Sequence, residues 1–382
     1  MKTISAMALL GMALLPFSAY SQTAVEKELQ DIKKRLEKAE KQLEKKESGS
    51  ETEIAAYAEI HYNNLDNKNP GGADKEEIDV HRAVIEFEHW FNDKVRAEIE
   101  IEIEHAFVQD NNDGSGETSN GELEVEQAFV DFNNDSGYLK LGQFILPVGI
   151  LNKNHKPTDF YGVERNNVES RIIPTTWWET GALYHHNFSK DLSLDAMITS
   201  GFNTSAADNY AVRAGRQKGS EATASDLAYM ATLKWKIIKG LDFGASWQHQ
   251  SDVTQGNDTT AGSANLLTAH AIWSINDFTL KALYATWDLD GSGPEAVGAD
   301  EQTGWYLEPS YRINNEWGVF ARYSTWDNQA GDGADSEYSQ VDVGVNYWPL
   351  KNVVIKADLQ DQDAPTGSDE FDGFNLGLGF KF

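Results

Sequence analysis

From residue 54 to its end the chain alternates apolar and polar positions with a period of two, the signature of strands with one apolar face. Val95, Ala97, Ile99, Ile101 and Ile103 interleave with Arg96, Glu98, Glu100, Glu102 and Glu104. Leu227 to Lys236 and Leu241 to Gln248 repeat the pattern less cleanly. It predicts sixteen strands, near 54–63, 78–91, 94–107, 121–132, 137–145, 179–187, 192–201, 225–236, 241–250, 264–274, 277–288, 302–312, 316–326, 337–347, 352–361 and 371–382. The connections sort by length. Those after even strands are tight, such as Asn92-Asp93 and Ile275-Asn276, and those after odd strands are longer and polar, the longest being 146–178. A soluble sandwich has no reason to separate short from long loops at its two ends, whereas a membrane barrel has periplasmic turns and extracellular loops. In lipid only a sheet closed on itself satisfies its edges, so the last strand must pair with the first. The predicted fold is therefore all-β, a closed antiparallel transmembrane β-barrel of about 16 strands.

The first fifty residues obey other rules. Lys2, an apolar run from Ile4 to Leu15 and Ala19-Tyr20-Ser21 read as a signal peptide over 1–21, with the mature chain starting at Gln22. Val25, Leu29, Ile32, Leu36, Ala39 and Leu43 then step by 4, 3, 4, 3, 4, the seam of a short N-terminal coiled-coil helix. With the joint Ser48-Gly49-Ser50, this defines a periplasmic coiled-coil segment and linker over 22–50 ahead of the barrel at 51–382.

Composition narrows the function. With 32 Lys+Arg against 61 Asp+Glu, the net charge of -29 argues against a phosphate-binding nucleic-acid surface. The absence of cysteine removes disulfides, thiolate metal sites and a cysteine nucleophile. No later stretch has the 18 or more consecutive apolar residues of a spanning helix. Trp90, Trp235, Trp273, Trp317 and Trp348 at turn-side strand ends, with Trp287, Trp305 and Trp326 near loop-side ends, are expected to form two interfacial girdles.

The stretches VEQAFVDF (125–132), LKLGQFILPVGILN (139–152), VER (163–165), VFARYSTWD (319–327), VDVGVNYWPLKNVVIKADL (341–359) and LGLGFKF (376–382) resemble the phosphate-selective O/P-type porins of Gram-negative outer membranes. That resemblance implies a trimeric, sixteen-stranded channel for passive diffusion of small hydrophilic solutes or ions, without a cofactor. In phosphate-specific members, basic residues guide anions. It implies a homotrimer set in outer-membrane lipid and lipopolysaccharide, and a terminal aromatic, Phe382, that resembles the signal read by the barrel-assembly machinery.

The alternation places Glu98, Glu100, Glu102 and Glu104 toward the lumen, because a carboxylate facing hydrocarbon is costly. Glu122, Glu124 and Glu126 extend that wall, and Arg82, Arg96, Lys140, Lys281, Arg322 and Lys356 complete the pore-lining candidates. Such a row predicts weak cation preference or unselective passage, with a phosphate- or anion-selective channel as the alternative. By resemblance, connection 146–178 folds inward and narrows the pore, with Lys153, His155, Lys156, Asp159, Glu164, Arg165, Glu169 and Arg171 as its charged members. Asp110 to Gly114 and Asp288 to Gly291 miss the spacing of an EF-hand and read as turns, so no metal is expected. A barrel enzyme would need a nucleophile beside a base, and no motif supplies one; an envelope tether with a plugged barrel is the other rival.

Overall fold

The computed structural model describes residues 50–106 and 121–382 together with Lys33. The leader and the heptad seam lie outside the described residues, as does Asp110 to Gly114. The sixteen strands are β1 (Glu51–Asn67), β2 (Lys75–Trp90), β3 (Val95–Glu104), β4 (Glu122–Asn134), β5 (Gly137–Ile145), β6 (Trp178–Asn187), β7 (Leu192–Thr199), β8 (Ala228–Ile238), β9 (Leu241–Gln250), β10 (Ala264–Ile275), β11 (Phe278–Leu289), β12 (Glu301–Arg312), β13 (Trp317–Asp327), β14 (Tyr338–Leu350), β15 (Val353–Asp363) and β16 (Phe371–Lys381). Each neighbours the next in sequence, and β1 closes the barrel against β16, antiparallel, from Tyr57 opposite Lys381 to Asn67 opposite Phe371. Phe382 extends the seam: its N–H donates to the Ala56 carbonyl at 2.9 Å, and its own carbonyl accepts from the Ala56 N–H at 3.0 Å.

Each predicted segment carries a strand. β1 and β2 run several residues beyond their apolar alternation because polar cross-links continue the pairing: Asn64 Nδ2 donates to Glu76 and the Asn67 N–H to Asp74. Outward positions carry the lipid belt, among them Ile99, Ile103, Leu307, Val343, Ile355, Leu376 and Leu378. An apolar cleft of about 730 Å³ on this outer face, between Tyr311, Val319, Val343, Leu359 and Leu376, belongs to the same surface.

The expected girdles need correction. Trp235, Trp273, Trp305 and Trp317 are exposed on the outer face, joined by Trp247, which sequence reasoning left out. Trp90, Trp287, Trp326 and Trp348 carry inward parity. Trp90 Nε1 donates to Glu88, Trp287 Nε1 to the Ile172 carbonyl, and Trp348 Nε1 to the Thr158 carbonyl, while Trp326 stacks on Tyr338. Position along a strand does not decide a girdle; parity does.

One irregularity sits in the acidic wall. Glu100 faces Gln127 and Ile101 faces Val125, so Glu126 is the extra residue of a β-bulge. The strand thereby sends both Glu126 and Gln127 inward while Val125 and Ala128 stay outside.

Candidate functional site

The β5–β6 connection, residues 146–177, folds into the barrel. Its neck is tied by Asn152, whose Nδ2 donates to the Leu146 and Trp177 carbonyls at 2.7 and 2.9 Å while its Oδ1 accepts from the Trp177 N–H at 2.7 Å. Inward glycines make room for it: a Cβ on Gly379 would stand 2.5 Å from Pro157 Cβ, and one on Gly304 3.0 Å from Ile172 Cγ1. Leu146, Val148, Ile150, Val168, Ile172, Ile173 and Trp177 pack with Trp287, Phe202 and Tyr306 into the apolar core inside the barrel.

Charged groups then fasten the loop's backbone to the wall. Arg82 Nη2 donates to the His155 carbonyl at 2.6 Å, Arg322 Nη2 to that of Tyr161 at 2.8 Å, and Lys356 Nζ to that of Gly162 at 2.7 Å. Asp358 accepts the Val163 N–H at 2.6 Å. From the β7–β8 connection, Arg213 donates to the Ser170 and Thr175 carbonyls and Arg216 to those of Pro174 and Thr176. Inside the loop, Glu169 is fully buried and accepts the Ile150 and Leu151 N–H groups at 2.6 and 2.7 Å and the Tyr306 hydroxyl at 2.9 Å. Burial pushes its carboxyl above the usual range, and these donors oppose the shift.

The pore-lining candidates all carry inward parity, but few meet water. Arg82, Glu100, Glu102, Arg322, Lys356 and Lys140 are buried. Arg82 binds Glu59 at 2.6 Å, and Arg322 binds Glu308 at 2.9 Å, which also takes Lys281 at 2.9 Å. Arg96 pairs with Glu88, Glu98 and Asp131, at 2.6, 3.3 and 2.5 Å. Glu104 remains partly open. Among the loop candidates, His155 is buried, Lys156 binds Glu86 at 2.6 Å, Asp159 binds Lys381 at 2.5 Å, and Lys153 and Arg171 are exposed. Burial would raise the Glu164 carboxyl; His61, 3.1 Å away, and Asn63 instead hold it well below the usual carboxylate range.

Open space divides above and below the loop. On the long-loop side a cavity of about 460 Å³ is bordered by Arg165, Arg171, Arg213, Arg216 and Lys218 together with Glu102, Glu104, Glu124, Glu126 and Glu164. Burial presses the Arg213 guanidinium below its usual range, and Arg216, Arg171 and Arg165 add to the effect, a sign of crowded positive charge. Lys218 bridges Glu122 and Glu124. On the short-turn side a cavity of about 520 Å³ is bordered by Lys153, Lys190, Lys234 and Lys236, with Asp191 and Asp242. Sequence reasoning missed Arg213, Arg216 and Lys218. Their signal was the close spacing of these three basic residues in a chain otherwise poor in them.

Residues 54–382 match the family described as phosphate-selective porin O and P. A relative from Aquifex aeolicus strain VF5, described as an uncharacterized protein, is 28% identical over 348 residues, covering 81% of this chain and 75% of its own. Among solved structures, the outer membrane channel DcaP of Acinetobacter baumannii aligns with a TM-score of 0.61 at 15% identity, over 87% of this chain and 98% of its own. The anion-selective porin from Comamonas acidovorans gives 0.60 at 10% identity, over 87% and 100%. OmpT of Vibrio cholerae in its trimer form gives 0.57 at 11%, over 87% and 100%. At these identities the structural likeness concerns the fold.

Proposed function

The chain belongs to the family of phosphate-selective porins O and P and is an outer-membrane channel, and from that premise we propose that it is a diffusion pore with a mild preference for small anions. The observation that carries this reading is the distribution of charge that water can reach. The acidic row expected to repel anions is largely withdrawn: Glu100 and Glu102 are covered, and Glu98 is shared with Arg96. Basic residues without an ion-pair partner among the described residues border both cavities, Arg171, Arg213 and Arg216 above the loop and Lys153 and Lys236 below it, whereas Lys218 and Lys234 are paired with carboxylates. In a narrow aqueous path the local field selects, and the chain's total net charge of -29 does not. This replaces the cation preference that the Glu row suggested.

A dedicated phosphate site has less support. Arg82, Arg322 and Lys356 already serve wall carboxylates and loop carbonyls, so they are not free to enclose an oxyanion. Phosphate and chloride should therefore pass by the same field. The homotrimer rests on the family resemblance, on the heptad seam and on the trimer form of the OmpT neighbour. Segment 22–50 belongs in the periplasm, since β1 starts at the short-turn end. Lipopolysaccharide and the barrel-assembly machinery are the partners the long loops and Phe382 would meet.

Planar-bilayer reversal potentials in a salt gradient test the preference. Wild-type channels should favour chloride over potassium by a few-fold at about 0.1 M and lose most of that at 1 M, as the Debye length falls from about 10 to about 3 Å. Replacing Arg171, Arg213 and Arg216 together by Gln should move the reversal potential toward cations. A cation-selective wild-type channel would overturn the reading.

A further inference from the structure

Beneath the loop, buried carboxylates gather near Arg82, with His61 against Glu59 at 3.4 Å and Arg165 close by. Glu59 on β1, Glu100 and Glu102 on β3 and Glu126 on β4 are each 3% exposed or less, and so is Arg82 on β2. Arg82 gives its Nε to Glu59 at 2.6 Å and its Nη2 to the loop carbonyl of His155, and its Nη1 stands 3.7 Å from Glu102. Lys156, next to His155 in the loop, is committed to Glu86. A buried carboxylate without a partner of its own is costly unless something positive joins it. Glu126 is the sharpest case: it is fully buried, the bulge aims it inward, and neither of its oxygens has a hydrogen-bond partner.

The groups around Glu126 are arranged as ligands. His155 Nε2 lies 3.9 Å from Glu126 Oε2 and 4.0 Å from Glu100 Oε1, and one ligand atom from each of the three falls within 4.8 Å of the others. Two ligands held about 2.0–2.2 Å from a zinc-like ion stand up to about 4.4 Å apart, so the gap is of the right size. His155 Nδ1 is 2.8 Å from the Asn152 carbonyl and donates to it, which leaves Nε2 unprotonated with a lone pair that takes either the Tyr57 hydroxyl proton or an ion. A metal-bound histidine is oriented in this way by its other nitrogen. The second oxygen of Glu100 is held by Gln127 Nε2 at 2.5 Å, which fixes that carboxylate too. Tyr57 OH, 2.8 Å from Nε2 and 3.2 Å from Glu100, can turn its proton to Glu100 when Nε2 is taken.

We propose that Glu100, Glu126 and His155 bind one divalent first-row transition ion, which ties the inward loop to the β3–β4 wall. Two carboxylates and an imidazole suit manganese, iron(II) or zinc, whereas calcium takes oxygen ligands only. Entry is from the cavity on the long-loop side, which Glu102 and Glu126 border, and requires a local opening because both are covered. It would bring two positive charges to the acidic cluster and hold the segment after Leu151 against the wall. This assignment is independent of which ions permeate.

The test uses the intact oligomer extracted in mild detergent, stripped with a chelator at pH 7.5 and dialysed. Mn2+ is then titrated and followed by electron paramagnetic resonance, and Zn2+ by calorimetry. Wild type should take one ion per chain that Glu126→Gln and His155→Gln each weaken at least tenfold, while His105→Gln, in the separate Asp79, His81 and His105 cluster, leaves that ion in place. Heat-modifiability on gels establishes that each variant has folded; Glu126→Gln, which keeps size and shape, decides the matter alone should the histidine variant misfold. Uptake that Glu126→Gln leaves unchanged, or a wild-type chain that takes no ion, overturns the proposal, and protons then neutralise the cluster.

Discussion

A single carboxylate shows how much of the loop's position depends on one residue. Glu169, fully buried, collects two loop N–H groups, the Asn166 amide and the Tyr306 hydroxyl. Glu169→Ala leaves those donors unsatisfied, at about 1–3 kcal/mol each. The loop should loosen while the barrel stands: single-channel traces should show noisier and larger open currents, and the heat-modified transition should fall by several degrees. Tyr306→Phe removes one of the four hydrogen bonds to Glu169, the fourth donor being Asn166 Nδ2 at 3.2 Å, a loss worth about 0.5–1.5 kcal/mol, and should reproduce the current noise more weakly. Unchanged traces from Glu169→Ala would mean the loop is held by its apolar packing and by the basic residues of the wall.

At the scale of elements, the strands were legible because parity is a local property that lipid enforces residue by residue. Ile99 and Ile103 must face out, and their carboxylate neighbours then face in. Features set by long-range contact were not legible. Whether Arg82 meets water or the carbonyl of His155 depends on a loop 73 residues away, and nothing in the alternation around Arg82 encodes it. The same holds for Trp287 and Trp348, whose strand-end positions suggested lipid and whose partners turned out to be loop carbonyls. The bulge was hidden for a different reason: the run from Glu122 to Glu126 keeps an unbroken period of two and gives no sign that Gln127 also turns inward. Deleting Glu126 restores a regular ladder, with Glu100 opposite Gln127 and Ile101 opposite Val125, so the variant should assemble at near wild-type levels. Val125→Glu, which adds a lipid-facing carboxylate on the same strand, should assemble less well, and the amount of heat-modifiable barrel in outer-membrane fractions distinguishes the two.

For the whole molecule the seam between β1 and β16 is the joint on which closure depends. Deleting Phe382 removes the two backbone bonds to Ala56 and the exposed terminal aromatic, and should lower the heat-modifiable barrel severalfold in pulse-labelled outer membranes. Normal levels on deletion would mean that neither the bonds nor the aromatic is needed. The seam also sets a clock. Asn63 meets Asn375 across a separation of 312 residues, so the edge of β1 that faces β16 has no native partner until those residues have been made and exported. Throughout that interval its unpaired N–H and C=O groups are open to any other extended chain nearby. Survival in the periplasm is then a race between strand β16 arriving and a stranger pairing first, and slowing translation or export just ahead of β16 should raise aggregation without altering the stability of any barrel that has closed.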